Sequence, residues 1–139
     1  MMVGLDVGRK RIGVAKTDEL GLLAHGVGFI ERKSDPSARD QIRALVLEWN
    51  ARKVVIGLPK EMSGKIGQAA EEVMAFAELL KKDLGDVAVD FWDERLSTRE
   101  TERTLISLDV SRSKRRKLLD QMSAQTILQS YLDSSKRRA

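Results

Sequence analysis

Acids stand at three places where the chain has no need of them for folding: Asp6 in "VGLDVGRKRIGVA", the pair Asp93-Glu94 closing "VAVDFWDE", and Asp120 opening "DQMSAQTILQSYL". An ionised carboxylate at the end of an apolar run needs a cation, a metal or a hydrogen-bond donor, because burying it unpaired costs several kcal/mol. Three such groups brought together repel one another. A divalent cation held by carboxylates, waters and a substrate phosphate is the usual way to relieve that repulsion. The chain has no cysteine and a single histidine, His25. A thiolate metal site and a Ser-His-Asp triad are therefore both improbable, and any metal must be held by oxygen, which favours magnesium, manganese or calcium. Each acid also has a purely structural use. Asp6 can cap the turn beyond it, Asp93 or Glu94 can pair with Arg95, and Asp120 faces solvent if the helix phase is off by one residue. What favours the chemical reading is the convergence of all three.

The elements around these residues bring them together. "VGLDV" and "RIGVA" flank a Gly-containing basic turn and read as a hairpin, with Leu22 to Ile30 as a third strand. Asp35-Pro36 supplies an N-cap and a first-turn proline, and Ala38, Ile42, Leu45 and Trp49 follow at helical spacing. "KVVIGLP" from Lys53 to Pro59 reads as a buried strand and "KEMSGKIG" as a polar loop; Ala69, Val73, Phe76, Leu80 and Leu84 then line one face of a second helix. "VAVDFWDE" is the fifth strand. Ser97 and Glu100 have the spacing of a capping box, starting a third helix to about Leu108, and a last helix runs from about Ser113 to Leu132.

The order predicts an α/β fold with a five-stranded mixed sheet flanked by helices: an antiparallel opening hairpin, and later strands parallel to the first. Parallel strands end on one edge, so Asp6 and Asp93-Glu94 meet at the C-terminal rim, where open α/β sheets bind ligands. In the last helix, positions 120, 124, 127 and 131 are Asp, Ala, Ile and Tyr. An acid thus occupies the stripe that otherwise faces the core, and the small Ser123 and Ala124 let that helix approach the sheet closely.

The length of 139 residues fits a single domain, 1–139. No apolar run reaches membrane-spanning length, and the first strand is broken by Asp6 and Gly8, unlike a signal peptide. A cytoplasmic protein with no membrane role is expected. The net charge of +4 is modest but uneven, with Arg112, Lys114, Arg115, Arg116 and Lys117 in one segment and Lys136 to Arg138 in a basic tail. Such clusters suit a phosphate backbone, and equally a solvated surface.

Four ordered motifs carry a resemblance: "GLDVGRKRIGVA", "VVIGLP", "DERLST" and "DQMSAQTILQSYL". Together they resemble the YqgF/RuvX family of pre-16S rRNA nucleases, also described as Holliday-junction-resolvase-like, over nearly the whole chain. The resemblance implies a ribonuclease H-like fold (βββαβαβα) and metal-dependent phosphodiester cleavage that matures the 5′ end of 16S rRNA. By that likeness Asp6, Glu94 and Asp120 are the catalytic and metal-holding acids. In one respect the chain departs from the wider resolvase group, which places its second acid at the end of the fourth strand, where Gly57-Leu58-Pro59 stands here. Glu94 must replace that acid. If the strand ends at Asp93, alternation sends Asp93 and Glu94 to opposite faces, so only one of them faces the metals.

The expected mechanism holds two Mg²⁺ or Mn²⁺ ions about 4 Å apart, one activating water and the other stabilising the leaving oxygen. Lys10, Arg95 and the cluster Arg112, Lys114, Arg115, Arg116 and Lys117 are expected to position phosphates of structured RNA or branched DNA. A homodimer is compatible with the chain. Three alternatives stay open: a branched-DNA resolvase, a catalytically weak RNA-binding module, and an ATP-dependent phosphotransferase. The last is disfavoured, because such enzymes close two domains on the nucleotide and no second Asp-x-Gly hairpin is present.

Overall fold

The computed structural model describes residues 1–95 and 123–134. Strands β1 (Met2–Val7), β2 (Arg11–Thr17) and β3 (Ala24–Glu31) are followed by helix α1 (Asp35–Glu48), strand β4 (Lys53–Leu58), helix α2 (Gln68–Leu84) and strand β5 (Ala88–Asp93). A further helix, α3, covers 123–134. The five strands form one sheet in the order β3-β2-β1-β4-β5. β1 pairs antiparallel with β2 and β2 with β3, whereas β1–β4 and β4–β5 are parallel. This is the mixed sheet expected from the sequence.

Alternation along the strands assigns the two faces. Val3 and Leu5 of β1 and Val54 and Ile56 of β4 join a core with Ala38, Ile42 and Val46 of α1 and Val73, Phe76 and Leu80 of α2. Val55 belongs to the opposite core with Ala124, Ile127, Leu128 and Leu132 of α3. Helices therefore cover both faces. The N-cap of α1 is Ser34 and not Asp35, which is already the first helical residue: the Ser34 Oγ accepts from the Ser37 N–H at 3.2 Å, and Pro36 lies in the first turn, where its missing N–H removes no helical bond.

Some details differ from the periodicity reading. In α2 the buried alanines are Ala70 and Ala77, while Ala69 is exposed, because the buried face lies one residue later at the helix start. Leu45 and Trp49 only flank the α1 core, which Val46 completes. β3 begins two residues after Leu22, because a turn at 18–23 closes with the Asp18 carboxylate accepting from the Leu22 N–H at 2.8 Å. The expected helix from Ser97 to Leu108 and the start of the last helix lie outside the described residues.

α3 sits close on the sheet for a stated reason. A Cβ built on Gly4 would lie 2.8 Å from the Leu128 Cβ and 3.1 Å from the Ala124 carbonyl oxygen, so only glycine allows this approach. Polar contacts fix the register of α3. Lys53 Nζ donates to the Tyr131 hydroxyl at 2.9 Å, which donates to Asp90 Oδ2 at 2.6 Å, and Trp92 Nε1 donates to Ser130 Oγ at 3.0 Å. Of the predicted stripe, Ala124 and Ile127 are fully buried and Tyr131 is half-buried; Asp120 lies outside the described residues.

Candidate active site

β1, β4 and β5 run parallel and end together, in the register Leu5↔Ile56 and Leu58↔Asp93. One residue on, Asp6 lies beside Gly57, and Glu94 follows the last residue of β5. Asp6, Val7, Gly8, Pro59 and Glu94 line a cavity of about 240 Å³ at this rim. Its remaining wall includes Arg9, Arg32 and Glu72. Gly8 makes the sharp exit from β1 possible: its N–H donates to the Arg11 carbonyl at 2.9 Å, and a Cβ there would lie 2.7 Å from that same oxygen.

The choice between Asp93 and Glu94 is visible in their contacts. Asp93 is clasped by Arg95, whose Nε donates to Oδ2 at 2.8 Å and whose Nη2 lies 2.6 Å from the same oxygen. That bond, helped by the Arg95 backbone N–H, holds the Asp93 carboxyl below the usual carboxylate range. Glu94 goes the other way. Burial first, then the Asp6 charge and the Asp93 charge, push its carboxyl up to about 7. A carboxyl raised by desolvation and a neighbouring acid, inside a cleft, marks a functional-site candidate.

Gly57 explains how Glu94 reaches the cavity. A Cβ at Gly57 would collide with Glu94 Oε2 and lie 2.5 Å from Ile127 Cδ1. The missing side chain leaves the space that the β5 acid enters.

The other expected residues fall as follows. Lys10 is exposed in the β1–β2 turn. Arg95, besides holding Asp93, packs over Gly64, whose built Cβ would lie 3.2 Å from Nη1, so the loop at 60–67 rests on this side chain. Arg112, Lys114, Arg115, Arg116, Lys117 and Asp120 lie outside the described residues. Among the described residues no three His, Cys, Asp or Glu side chains gather into a metal-holding group.

Arg32 and Glu72 belong to the cavity wall and are not among the residues expected from the sequence. Arg32 stacks over the Phe76 ring at 4.9 Å, donates from Nε to Asp35 Oδ1 at 2.7 Å and from Nη1 to the Gly8 carbonyl at 2.9 Å. Only the hairpin arithmetic points there: β3 must end beside the β1–β2 turn, and the Arg32 N–H does bond to the Lys10 carbonyl at 2.8 Å.

Known proteins agree with this architecture. Two solved resolvase structures share the fold at low identity. Thermus thermophilus RuvC in complex with a Holliday junction substrate matches with a TM-score of 0.60 and 11% identity, covering 99% of this chain and 96% of that one. The fowlpox virus resolvase with Holliday junction DNA matches with a TM-score of 0.59 and 12% identity, covering 96% and 97%. The fold is thus ribonuclease H-like. Two bacterial relatives carry the provisional name of pre-16S rRNA nuclease. The Clostridioides difficile (strain 630) protein is 48% identical over 132 residues, 95% of this chain and 93% of the relative. The Desulforamulus reducens protein is 44% identical over 133 residues, 96% of each. A family model described as RuvX, Holliday junction resolvase, matches residues 1–134. With a model match and close relatives both spanning nearly the whole chain, this protein belongs to the RuvX family.

Proposed function

We propose that the protein, a single domain over 1–139, is a divalent-metal-dependent nuclease that hydrolyses phosphodiester bonds in structured nucleic acid, with the 5′ end of pre-16S rRNA as its substrate. The observation that carries this reading is the joint placement of Asp6 and Glu94 on one rim cavity, with Glu94 held up to about 7 by burial and by Asp6. Two crowded carboxylates are an unfavourable arrangement that a cation relieves, and a set of hard oxygen donors suits Mg²⁺ or Mn²⁺.

Asp6 and Glu94 would hold the metal, and Asp120 would join them: the described part of its stripe, Ala124 and Ile127, is buried against the same sheet face. When bound, a pair of such ions supplies water activation and charge stabilisation at the leaving oxygen. The chain's own part is to fix the carboxylates and to receive phosphate. Lys10, and Arg95 through the guanidinium donors left over by Asp93, flank the rim, and Arg112, Lys114, Arg115, Arg116 and Lys117 add an affinity determinant that reads backbone and not base. No helix among the described residues is long and apolar enough to cross a membrane. The protein works in the cytoplasm, and a homodimer is compatible with this account.

The names of the relatives favour RNA, whereas the family description and the junction-bound neighbours favour branched DNA. Gly57, standing where the wider resolvase group is expected to carry its second acid, counts against direct transfer of junction resolution, and the RNA reading rests on the relatives' names. Cleavage of a pre-16S 5′ leader and of a four-way DNA junction, assayed side by side with the purified protein, should show the leader cut and the junction nearly untouched. A junction cut in preference to the leader would make the protein a resolvase.

A further inference from the structure

Beside the acid cavity lies a second groove of about 510 Å³, between the start of α1 and the outer face of α2, lined by Arg9, Arg32, Lys33, Ser34, Glu72 and Phe76 among others. Its size falls in the range of ligand-binding clefts. Arg9, Arg32 and Glu72 line both spaces, so the two are neighbours that share this wall. The cations along it differ in mobility. Arg32 is set in place by Phe76, Asp35 and the Gly8 carbonyl, with a side chain only 17% exposed, and two of its five N–H donors are used by these bonds. Arg9 is 79% exposed and meets Glu72 at 3.6 Å, too long for a good hydrogen bond. A surface pair of this length is weak and readily exchanged.

We infer that this groove binds the phosphodiester flanking the scissile one, and that Glu72 occupies the place of that phosphate on Arg9 until substrate arrives. The inference rests on the nuclease reading for the direction of the strand, from the acid pair outward past Arg9 to Lys33. Arg32 gives a rigid anchor whose ordering cost is already met in the free protein, and Arg9 turns from one anion to another. Glu72 therefore works against binding: its carboxylate competes with phosphate for Arg9 and repels it along the groove.

The test is a binding titration of pre-16S leader RNA at several salt concentrations, with divalent metal chelated so that bound RNA stays intact. Three proteins are compared: wild type, the double variant Arg9→Ala with Lys33→Ala, and Glu72→Gln. All three positions are exposed, so folding is not at risk. The double variant should bind roughly tenfold more weakly at low salt and lose about one to two units of salt slope, whereas Glu72→Gln should bind a few-fold more tightly. A structural role would not move the two in opposite directions. An unchanged slope in the double variant, or weaker binding by Glu72→Gln, overturns the inference. Cleavage of the same RNA by the wild type with metal restored is scored separately, so failure of the groove and failure of the nuclease reading give different patterns.

Discussion

Glu94→Gln should lower the cleavage rate by at least about 100-fold, roughly 2.7 kcal/mol of barrier, and should also make the metal-free protein more stable above neutral pH. The first effect follows from losing a charged oxygen donor while the side-chain shape is kept. The second follows from linkage. The Glu94 carboxyl is raised from 4.5 to about 7 in the folded protein, by burial above all and then by Asp6 and Asp93. Between those two values the folded state holds a proton that the unfolded chain has released, so stability falls as pH rises through the window. Below it the group costs nothing; above it the whole penalty, on the order of 3 kcal/mol, is present. Glutamine carries no charge to bury. Melting curves of wild type and variant in chelator should coincide near pH 4.5 and separate by pH 8, with the variant higher, and added Mn²⁺ should raise the wild type and not the variant. An equal difference at both pH values would mean that Glu94 carries no buried charge. Asp6→Asn should be as inactive as Glu94→Gln, and if both acids serve one site, as proposed, the double variant should lose little beyond either.

Gly57→Ala is expected to be nearly as damaging although it removes no functional group. Its new Cβ would collide with Glu94 Oε2 and with Ile127 Cδ1, at 2.5 Å. Both contacts must be relieved. A shift of Glu94 by about an ångström brings a loss on the order of 100-fold in rate from misplacement alone. Displacing Ile127 of α3 adds overpacking that costs roughly 1–3 kcal/mol of stability. Gly4→Ala separates these outcomes, because its Cβ meets Leu128 and the Ala124 carbonyl on the same helix without meeting Glu94. It should lower the melting temperature comparably and leave kcat close to wild type. Full activity in Gly57→Ala would show that Glu94 does not need the space over β4.

How much of this was legible in the sequence depended on whether the signal was periodic. The apolar runs of β1, β4 and β5 and the helical spacing of α1 and α2 carried the mixed sheet and its pairing directions, though not the strand order, and with them the rim where Asp6 and Glu94 meet. The tie between Asp93 and Glu94 was legible as a tie: alternation says that the two part, and only the Arg95 clasp on Asp93 tells which acid is left for the cavity. Gly57 was noticed as a missing acid, but its use as a space for Glu94 depends on the β4–β5 register, which no local pattern encodes. Arg32 and Glu72 were invisible for a related reason. Arg32 is brought to the rim by the pairing of β3 beside the β1–β2 turn and Glu72 by the packing of α2, and a charged residue looks the same in the sequence whether or not a cavity lies beside it.

The central claim is that a metal held by Asp6 and Glu94 makes this protein a nuclease, and metal dependence of cleavage tests it most directly. Purified protein, stripped with EDTA, should leave an end-labelled pre-16S leader intact, and titrated Mn²⁺ or Mg²⁺ should restore cutting in the wild type but not in Asp6→Asn or Glu94→Gln at the same concentrations. Cleavage that persists in EDTA, or that either variant carries out at the wild-type rate, would contradict the claim.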